Sequence, residues 1–247
     1  MRYLVLSDIH ANLEALQAVL ADTPPASVDR VLVLGDLVGY GPDPNAVSEC
    51  IRALPQVSVI RGNHDKVACG LEPPFRFNHL ARHAVEWTAA ALTADNRTYL
   101  RSLPMGPLAV DDLIEICHGT PFNEDVYVVD YREAGRALER ATRPLCLFGH
   151  THVVAAFRLQ DGVAQHAGGR TMGPAELAWT GESAWLVNCG SVGQPRDGDW
   201  RAAFGVVDTD TRVVSLKRVP YAVAETQAKM RAAGLPEPLA ARLSAGH

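Results

Sequence analysis

The chain has 247 residues, of which 47% are hydrophobic, and its formal net charge is −5. This length favours one large domain, residues 1–247, over two small ones, and the apolar share is typical of a globular protein with a substantial core. The negative charge argues against a nucleic-acid partner. The five cysteines are scattered and form no C-x-x-C pair, which argues against a disulfide framework and against a zinc ribbon.

The polar pair Ser7-Asp8 ends the first apolar run too early for a signal peptide. No later apolar run is long enough to span a bilayer. The sequence therefore predicts a cytoplasmic protein with no membrane partner, and it leaves the oligomeric state open.

The first sixty residues alternate between strand and helix patterns. Strands are predicted over Tyr3–Leu6, Val31–Leu34 and Val57–Ile60, because each is a short apolar run beside turn residues. Helices are predicted between them, over Asn12–Ala21 and Asn45–Leu54. This βαβαβ order is typical of a mostly parallel sheet that is covered by helices.

The segment 79–103 is rich in alanine and has helical spacing. One interpretation is a pair of helices that packs beside the sheet, and the other is a cap over a functional site. We favour packing, because alanine-rich amphipathic helices are common in that role.

The second half is dominated by strand patterns. The turns Gln160-Asp161-Gly162 and Asp208-Thr209-Asp210 indicate hairpins. Helices are predicted over Tyr131–Ala141 and Ala222–Arg231, an irregular loop over Ala167–Trp179, and a frayed end over the last three residues. The predicted strands are Leu113–Cys117, Leu145–Phe148, Val153–Leu159, Ala184–Val187, Ala203–Val207 and Val213–Lys217.

Five short runs place Asp, Asn or His at or just after the end of a predicted strand. They are Asp8-Ile9-His10, Gly35-Asp36, Arg61-Gly62-Asn63-His64-Asp65, Cys117-His118-Gly119 and Gly149-His150-Thr151-His152. A single Asp at such a place is usually a cap or turn residue, and a single His is usually a surface or core residue. Five such runs in this order are hard to explain without a dinuclear metal site.

The donors in these runs are carboxylate, amide and imidazole groups, without thiolate. On an extended chain residues two apart point to one face, which would pair Asp8 with His10 and His150 with His152. The two oxygens of Asp36 could bridge two cations. We therefore expect two divalent metal ions, Mn²⁺ first and Fe, Zn²⁺, Ni²⁺ or Co²⁺ as alternatives, because these ligands suit Mg²⁺ and Ca²⁺ less well.

Taken in order, the runs resemble the motifs of the calcineurin-like metallophosphoesterase superfamily. Two further runs, Gly39-Tyr40-Gly41-Pro42-Asp43-Pro44-Asn45 and Asn188-Cys189-Gly190-Ser191-Val192-Gly193, resemble its small bacterial and archaeal phosphodiesterase branch. The motifs extend from Asp8 to about Asp199. The resemblance implies an α/β fold in which a four-layer sandwich of two mixed β-sheets is flanked by helices, with a dinuclear site at the strand ends.

The resemblance also implies a role for each residue. His64 resembles the family's histidine that binds no metal and protonates the leaving oxygen, and Asn12 matches a position beside the phosphate. Asp65 could help to orient the loop beside His64 or be a plain turn residue, and we favour the turn role. Seven side chains would be metal ligands: Asp8, His10 and His152 on one ion, Asn63, His118 and His150 on the other, and Asp36 as the bridge.

One departure from the superfamily bears on the substrate. Its protein Ser/Thr phosphatases read Gly-Asp-x-Val-Asp-Arg-Gly, where an Asp orients the catalytic His and an Arg binds phosphate. Gly39 and Tyr40 replace these two residues here. The lost guanidinium favours phosphodiesters, which carry a single negative charge. Tyr40 could donate a hydrogen bond or only pack, and Arg196 or Arg170 could supply a cation or be a surface residue.

These observations lead to a hypothesis of hydrolysis of small phosphodiesters, such as cyclic nucleotides, by a metal-bridging hydroxide with His64 as the general acid. The alternative is a phosphomonoesterase, either a nucleotidase or a Ser/Thr-type protein phosphatase. A non-catalytic interaction module of the same fold is the third interpretation. The presence of His64 and of the full ligand set argues against it.

Overall fold

A computed structural model describes residues 1–168 and 175–247 of the chain. The strands in these ranges are β1 Arg2–Leu6, β2 Arg30–Val33, β3 Val57–Val59, β4 Leu108–Ala109, β5 Ile114–Ile116, β6 Leu145–Phe148, β7 Ala155–Gln160, β8 Val163–Gly168, β9 Ala175–Ala178, β10 Trp185–Asn188, β11 Ala202–Asp208 and β12 Val213–Val219. The α-helices are α1 Leu13–Asp22, α2 Pro44–Arg52, α3 Asn63–Ala68, α4 His79–Ala91, α5 Ala94–Ser102, α6 Tyr131–Leu138, α7 Val223–Ala232 and α8 Glu237–Ala241. Short 3₁₀ helices lie at Pro25–Ser27, Pro74–Arg76 and Arg242–Ala245.

The strands form two mixed sheets of six strands each. The first sheet has the order β3-β2-β1-β11-β12-β9, in which β1, β2 and β3 are parallel to one another. The second has the order β4-β5-β6-β10-β7-β8, in which β5, β6 and β10 are parallel. The predicted parallel βαβαβ unit is therefore confirmed, and both hairpin turns join antiparallel neighbours.

The two faces of β1 show how the layers are arranged. Tyr3 and Val5 pack in the apolar cluster between the two sheets, whereas Leu4 and Leu6 pack in the cluster beneath α1 and α2. This alternation follows from the two-residue period of a strand. A third cluster places α6 on the outer face of the second sheet. The predicted α/β sandwich of two mixed sheets flanked by helices is confirmed.

The helical segment 79–103 forms α4 and α5, which are separated by the cap residue Thr93. Val85 and Leu100 are fully buried in the core cluster that also contains the α1 and α2 side chains. These contacts are those of a packing pair. A cap over the site stays a prediction, although the chain just before α4 does approach the site.

The predicted loop Ala167–Trp179 is wrong in part. Its first residues belong to β8, and β9 pairs with β12 at the edge of the first sheet. Leu177 and Trp179 alternate into the core between the sheets, which gives this short strand its stability. Arg170 lies outside the described residues.

The expected frayed end over the last three residues is also wrong for Ala245, which ends a 3₁₀ helix, and for Gly246, whose oxygen accepts from Gly198 N at 3.0 Å. After α8 the chain continues in the 3₁₀ helix Arg242–Ala245. Leu239 and Leu243 are buried against Tyr40 and Ala84, so the C-terminal segment is held by apolar contacts. Among the described residues, no helix combines the length and hydropathy needed to cross a bilayer.

Candidate metal centre

The predicted site residues meet at one end of both sheets. They follow the carboxyl ends of the parallel strands β1, β2, β3, β5 and β6, which is where open α/β sheets place their ligands. None of these eight side chains is more than 7% exposed: Asp8, His10, Asp36, Asn63, His64, His118, His150 and His152.

The donor atoms fall into two groups that share Asp36. In each group the ligand atoms lie within 4.8 Å of one another. The first group consists of Asp8, His10, Asp36 and His152, and the second consists of Asp36, His118 and His150. Asn63 belongs beside the second group, since its Oδ1 is 3.1 Å from Nε2 of His118.

Backbone carbonyls orient three of the imidazoles. Nδ1 of His10 is 3.1 Å from the oxygen of Val38, and Nδ1 of His152 is 2.7 Å from the oxygen of Gln194. Since a carbonyl only accepts, these contacts assign the proton to Nδ1. His118 is held in the same way, 2.8 Å from the oxygen of Leu34. This arrangement directs each Nε2 into the site, as in metal-binding histidines.

The fit to a cation is tested by the contact between His10 and His152. Their Nε2 atoms are 3.1 Å apart. Burial lowers the pKa of both imidazoles well below the usual value, so both are neutral and both Nε2 atoms are lone-pair acceptors. Two facing acceptors repel, whereas ligands about 2.1 Å from one ion lie roughly 3.0–3.5 Å apart. Nε2 of His150 is also buried without a hydrogen-bond partner. The donors therefore fit divalent metal ions.

The charges in the second group support the same conclusion. Burial alone would lower the pKa of His118, but the Asp36 carboxylate, 3.4 Å away, raises it to about 10. Burial would raise the pKa of Asp36, but His118 and His64 bring it well below its usual range. The proton on His118 thus supplies the positive charge that two buried carboxylates require, and metal binding would displace it.

The Asp8 carboxylate completes this pair of buried acids. Burial raises its pKa to about 6, and the charge of Asp36 adds to this effect. Its Oδ1 is 3.4 Å from Nε2 of His152. A divalent ion at the first group would offset both the burial and the repulsion between the two acids.

The backbone at the ligands differs from the extended geometry that the sequence predicts. Asp8, His10, Asp36, His150 and His152 all have positive φ, between 50° and 67°. Hydrogen bonds between the loops hold these strained turns, such as His10 N to the oxygen of Asp36 at 2.9 Å and His150 N to Oδ1 of Asp8 at 3.2 Å. Non-glycine residues at positive φ are uncommon and concentrate at functional sites.

His64 lies beside the two groups but belongs to neither. It lies at the start of α3, where its backbone N–H donates to Oδ1 of Asp36 at 2.8 Å. Its ring centroid is 4.4 Å from that of Tyr40, 4.6 Å from that of Phe77 and 4.9 Å from that of His10. Burial lowers its pKa to about 4, although Asp36 opposes this shift.

Gly39, one of the two positions at which the chain departs from the protein phosphatase motif, lies against the ring of His64. A Cβ atom at Gly39 would lie 2.4 Å from Nδ1 of His64, and its φ is +89°. The Nδ1 atom is buried and has no hydrogen-bond partner. It therefore faces the backbone of Gly39, which is the position that the resemblance matches with the Asp of those phosphatases.

Asp65 is more than a turn residue. It is fully buried, and its two oxygens accept from the backbone N–H groups of Gly62, at 2.9 Å, and Val38, at 3.1 Å. These bonds join the loop after β2 to the start of α3. Burial raises the pKa of Asp65 to about 7. Its contacts position the backbone that presents Asn63 and His64.

The three predicted substrate-binding residues have different surroundings. Asn12 is buried and caps α1, with Oδ1 accepting from Ala15 N at 3.1 Å and Nδ2 donating to the oxygen of Gly193 at 2.8 Å. Its place beside phosphate stays a prediction. Tyr40 is 7% exposed, and its ring packs against His10 and His64. The guanidinium carbon of Arg196 is 5.7 Å from the centroid of the Tyr40 ring.

Sequence reasoning missed several residues around the site. A pocket of about 150 Å³ opens beside Asn63 and His150, and Phe77 and Tyr127 form aromatic parts of its wall. The Tyr127 ring stacks on His150 at 3.7 Å. Arg242 also reaches the Tyr40 ring, with its guanidinium carbon 4.7 Å from the centroid. None of these residues lies in a motif, and only their aromatic or cationic character could have suggested them.

Comparison with known proteins gives a consistent result. The calcineurin-like phosphoesterase superfamily domain matches residues 1–212. An uncharacterized protein of Methanocaldococcus jannaschii is 33% identical over 254 residues, covering 98% of this chain and 97% of that protein. A metallophosphoesterase from Sphaerobacter thermophilus is 39% identical with a TM-score of 0.86, and each chain is covered completely. A hypothetical protein from Pyrococcus horikoshii shares the fold at 22% identity, with a TM-score of 0.79 and coverage of 100% and 98%. The chain belongs to the calcineurin-like phosphoesterase superfamily.

Proposed function

We propose that the chain hydrolyses small phosphodiesters with the help of two divalent metal ions, and that His64 is the general acid. One observation carries this proposal. Two groups of donor atoms share Asp36, and an imidazole that belongs to neither group lies 4.9 Å from His10. The similarity to a protein described as a metallophosphoesterase supports the same reaction class.

The metal ions, when bound, would polarise the phosphate and provide a water nucleophile at neutral pH. The chain's own residues orient the reaction. Attack of a hydroxide oxygen on phosphorus forms the new P–O bond while the bond to the leaving oxygen breaks, and the protonated His64 gives its proton to that leaving oxygen and becomes neutral. A phosphate anion beside His64 would oppose the effect of burial and favour the protonated imidazole.

The surroundings of His64 would keep it in place during this step. Tyr40 and Phe77 confine the ring, and its own backbone N–H is bonded to Asp36. The proton donor is thereby tied to the carboxylate that both groups share. Such fixed positioning saves reorganisation when the leaving group departs.

Two further parts of the proposal concern the metal and the substrate. Imidazole, carboxylate and amide donors favour Mn²⁺, with Fe, Zn²⁺, Ni²⁺ and Co²⁺ as alternatives. The absence of an arginine after Gly39 favours a diester over a monoester, since a monoester dianion gains more from a bidentate guanidinium.

The test is His64→Ala, measured with bis(para-nitrophenyl) phosphate and para-nitrophenyl phosphate in the presence of Mn²⁺. We expect diester turnover to fall by about 10²–10⁴-fold. The metal content, determined by elemental analysis, should not change. The control is His83→Ala, which removes an exposed histidine on α4.

Three results would contradict the proposal. Loss of both ions with His64 would make this residue a ligand rather than an acid. Faster turnover of the monoester by the unaltered chain would favour the phosphomonoesterase. Absence of turnover of either substrate with metal bound would leave a non-catalytic module of the same fold.

A further inference from the structure

Two arginines from distant parts of the chain meet beside Tyr40. The guanidinium carbons of Arg196 and Arg242 are 5.7 Å and 4.7 Å from the Tyr40 ring centroid. Both Nη2 atoms donate to the same acceptor, Oε1 of Gln194, at 2.9 Å and 2.5 Å. One amide oxygen and one aromatic ring thus hold two like charges together.

Neither arginine of this pair has a carboxylate partner among the described residues, in contrast to several other arginines of the chain. Within residues 1–168 and 175–247, no ion pair involves Arg196 or Arg242, and the Nε atoms of both are buried without a hydrogen-bond partner. Burial first, and the charge of Arg196 second, lower the pKa of Arg242 below its usual value. Several other arginines pair with carboxylates: Arg61 with Glu124, Arg201 with Asp199 and Arg218 with Asp197.

Two partly buried cations that have no counter-charge in the described part of the chain favour an anionic ligand. Each guanidinium gives one N–H to Gln194 and keeps further donors for an oxyanion. A phosphate group could accept from both forks, and charge-assisted bonds of this kind are the strong ones. Both side chains are half-buried, so their outer edges remain accessible.

The position of the pair relates it to the metal centre. The Tyr40 ring separates the pair from His10 and His64, with centroid distances of 4.8 Å and 4.4 Å. The loop that carries Arg196 is joined to the centre by its backbone N–H, which donates to the oxygen of His152 at 3.1 Å. A substrate whose reacting phosphate lies at the two donor groups could therefore extend a neighbouring phosphate to the pair.

We propose that Arg196 and Arg242 form an anion subsite for a second phosphate group of the substrate. The substrate class is then a diester or anhydride with at least two phosphates, such as a dinucleoside diphosphate. This inference rests on the proposed function for the reaction. Binding of the anion itself requires neither metal nor turnover.

The first experiment measures binding of tripolyphosphate to the metal-free full-length chain by calorimetry. We expect the unaltered chain to bind it, and Arg196→Gln and Arg242→Gln to bind it about tenfold more weakly, since each loses a charge-assisted fork. Arg140→Gln, which removes an exposed arginine after α6, should bind as the unaltered chain does. Failure of the unaltered chain to bind, or equal binding by the Gln variants, would overturn the subsite. Should Arg242→Gln not fold, Arg196→Gln alone decides.

The second experiment compares two substrates with the metal-loaded enzyme. The ratio of kcat/KM for a dinucleoside diphosphate to that for bis(para-nitrophenyl) phosphate should fall about tenfold in Arg242→Gln. If the kcat/KM values of both substrates fell by the same factor, the ratio would not change. The two arginines would then act on the reacting phosphate, and their role in binding a second phosphate would be overturned. Tripolyphosphate binding without any turnover would refute the proposed function and leave the anion subsite standing.

Discussion

The two donor groups of the centre differ in the cavity that each of them borders. In the first group, His10 and His152 are both tied through Nδ1 to backbone carbonyls. The small cavity beside His10, which Tyr40 and Gly193 also line, has no room for a water molecule. This side of the centre is closed and already fixed.

The second group is open. His150 and Asn63 line the pocket of about 150 Å³, and Nε2 of His150 has no hydrogen-bond partner. Tyr127, which stacks on His150, is itself 47% exposed. From this contrast we expect the first group to bind a metal ion more tightly, and the ion and the substrate to exchange at the second group.

Asp36→Asn should have the largest effect on turnover. Asp36 belongs to both donor groups, so the substitution alters both and removes the contrast between them. The variant loses a shared charge and the partner that raises the pKa of His118. We expect diester turnover to fall by about three orders of magnitude, as several kcal/mol of transition-state stabilisation are lost. Elemental analysis should show that both ions bind more weakly.

The matched control for this change is Asp161→Asn. Asp161 lies in the exposed β7–β8 turn with φ 52°, close to the 53° of Asp36. It therefore makes the same chemical change at a similar backbone geometry and should leave turnover and metal content as they are. Full occupancy of both ions in Asp36→Asn would show that Asp36 is not a bridge.

His152→Ala and His150→Ala should separate the two groups. Each variant removes a ligand from one group only. The affinity for the ion of that group should therefore fall by at least about a hundredfold, while the affinity for the other ion should not change. In the unaltered chain, timed exposure to a chelator should remove the ion of the second group first. Metal per chain, measured against chelation time, reports both effects. Equal loss of both ions from either variant would mean that the groups act as one unit.

Gly39→Ala should sharpen the comparison, since the added Cβ atom meets His64, which belongs to neither group. The added Cβ would lie 2.4 Å from Nδ1 of His64, so the imidazole must move. We expect turnover to fall by about ten- to a hundredfold at unchanged metal content, because small misplacements of a catalytic group are costly. Gly135→Ala in α6, where the nearest atom is 3.7 Å from the added Cβ, is the control and should leave turnover unchanged.

The sequence predicted the parts of the fold that depend on local pattern. The central residues of β1 and β2 form short apolar runs buried on both faces, and such runs are recognisable without tertiary information. The seven donor residues and His64 were expected to lie together because the carboxyl ends of parallel strands meet at one edge. That reasoning holds even though Asp8 and His10 lie in left-handed turns rather than on an extended chain.

What the sequence could not predict depends on contacts between distant segments. Arg242 reaches Tyr40 only because the C-terminal turn packs on α4 and α7, and no pattern near residue 242 indicates this. The same holds for β9, whose stability comes from the neighbouring β12 and from burial of Leu177. The stacking of Tyr127 on His150 likewise follows from the path of the loop between β5 and α6.

Tyr127→Ala should have the smallest effect on metal binding, and it tests the second donor group alone. Loss of a stacked aromatic pair costs about 0.5–1.5 kcal/mol, which corresponds to a roughly two- to tenfold lower affinity for the ion at the second group. The first group should be unaffected, because His10 and His152 are held by carbonyls on the other side of Asp36. Val129→Ala, at a residue that is 69% exposed two positions away, is the control. If metal binding at the first group were weakened as much as at the second, the two groups would not bind their ions independently. The larger cavity beside the second group would then have no effect on metal binding.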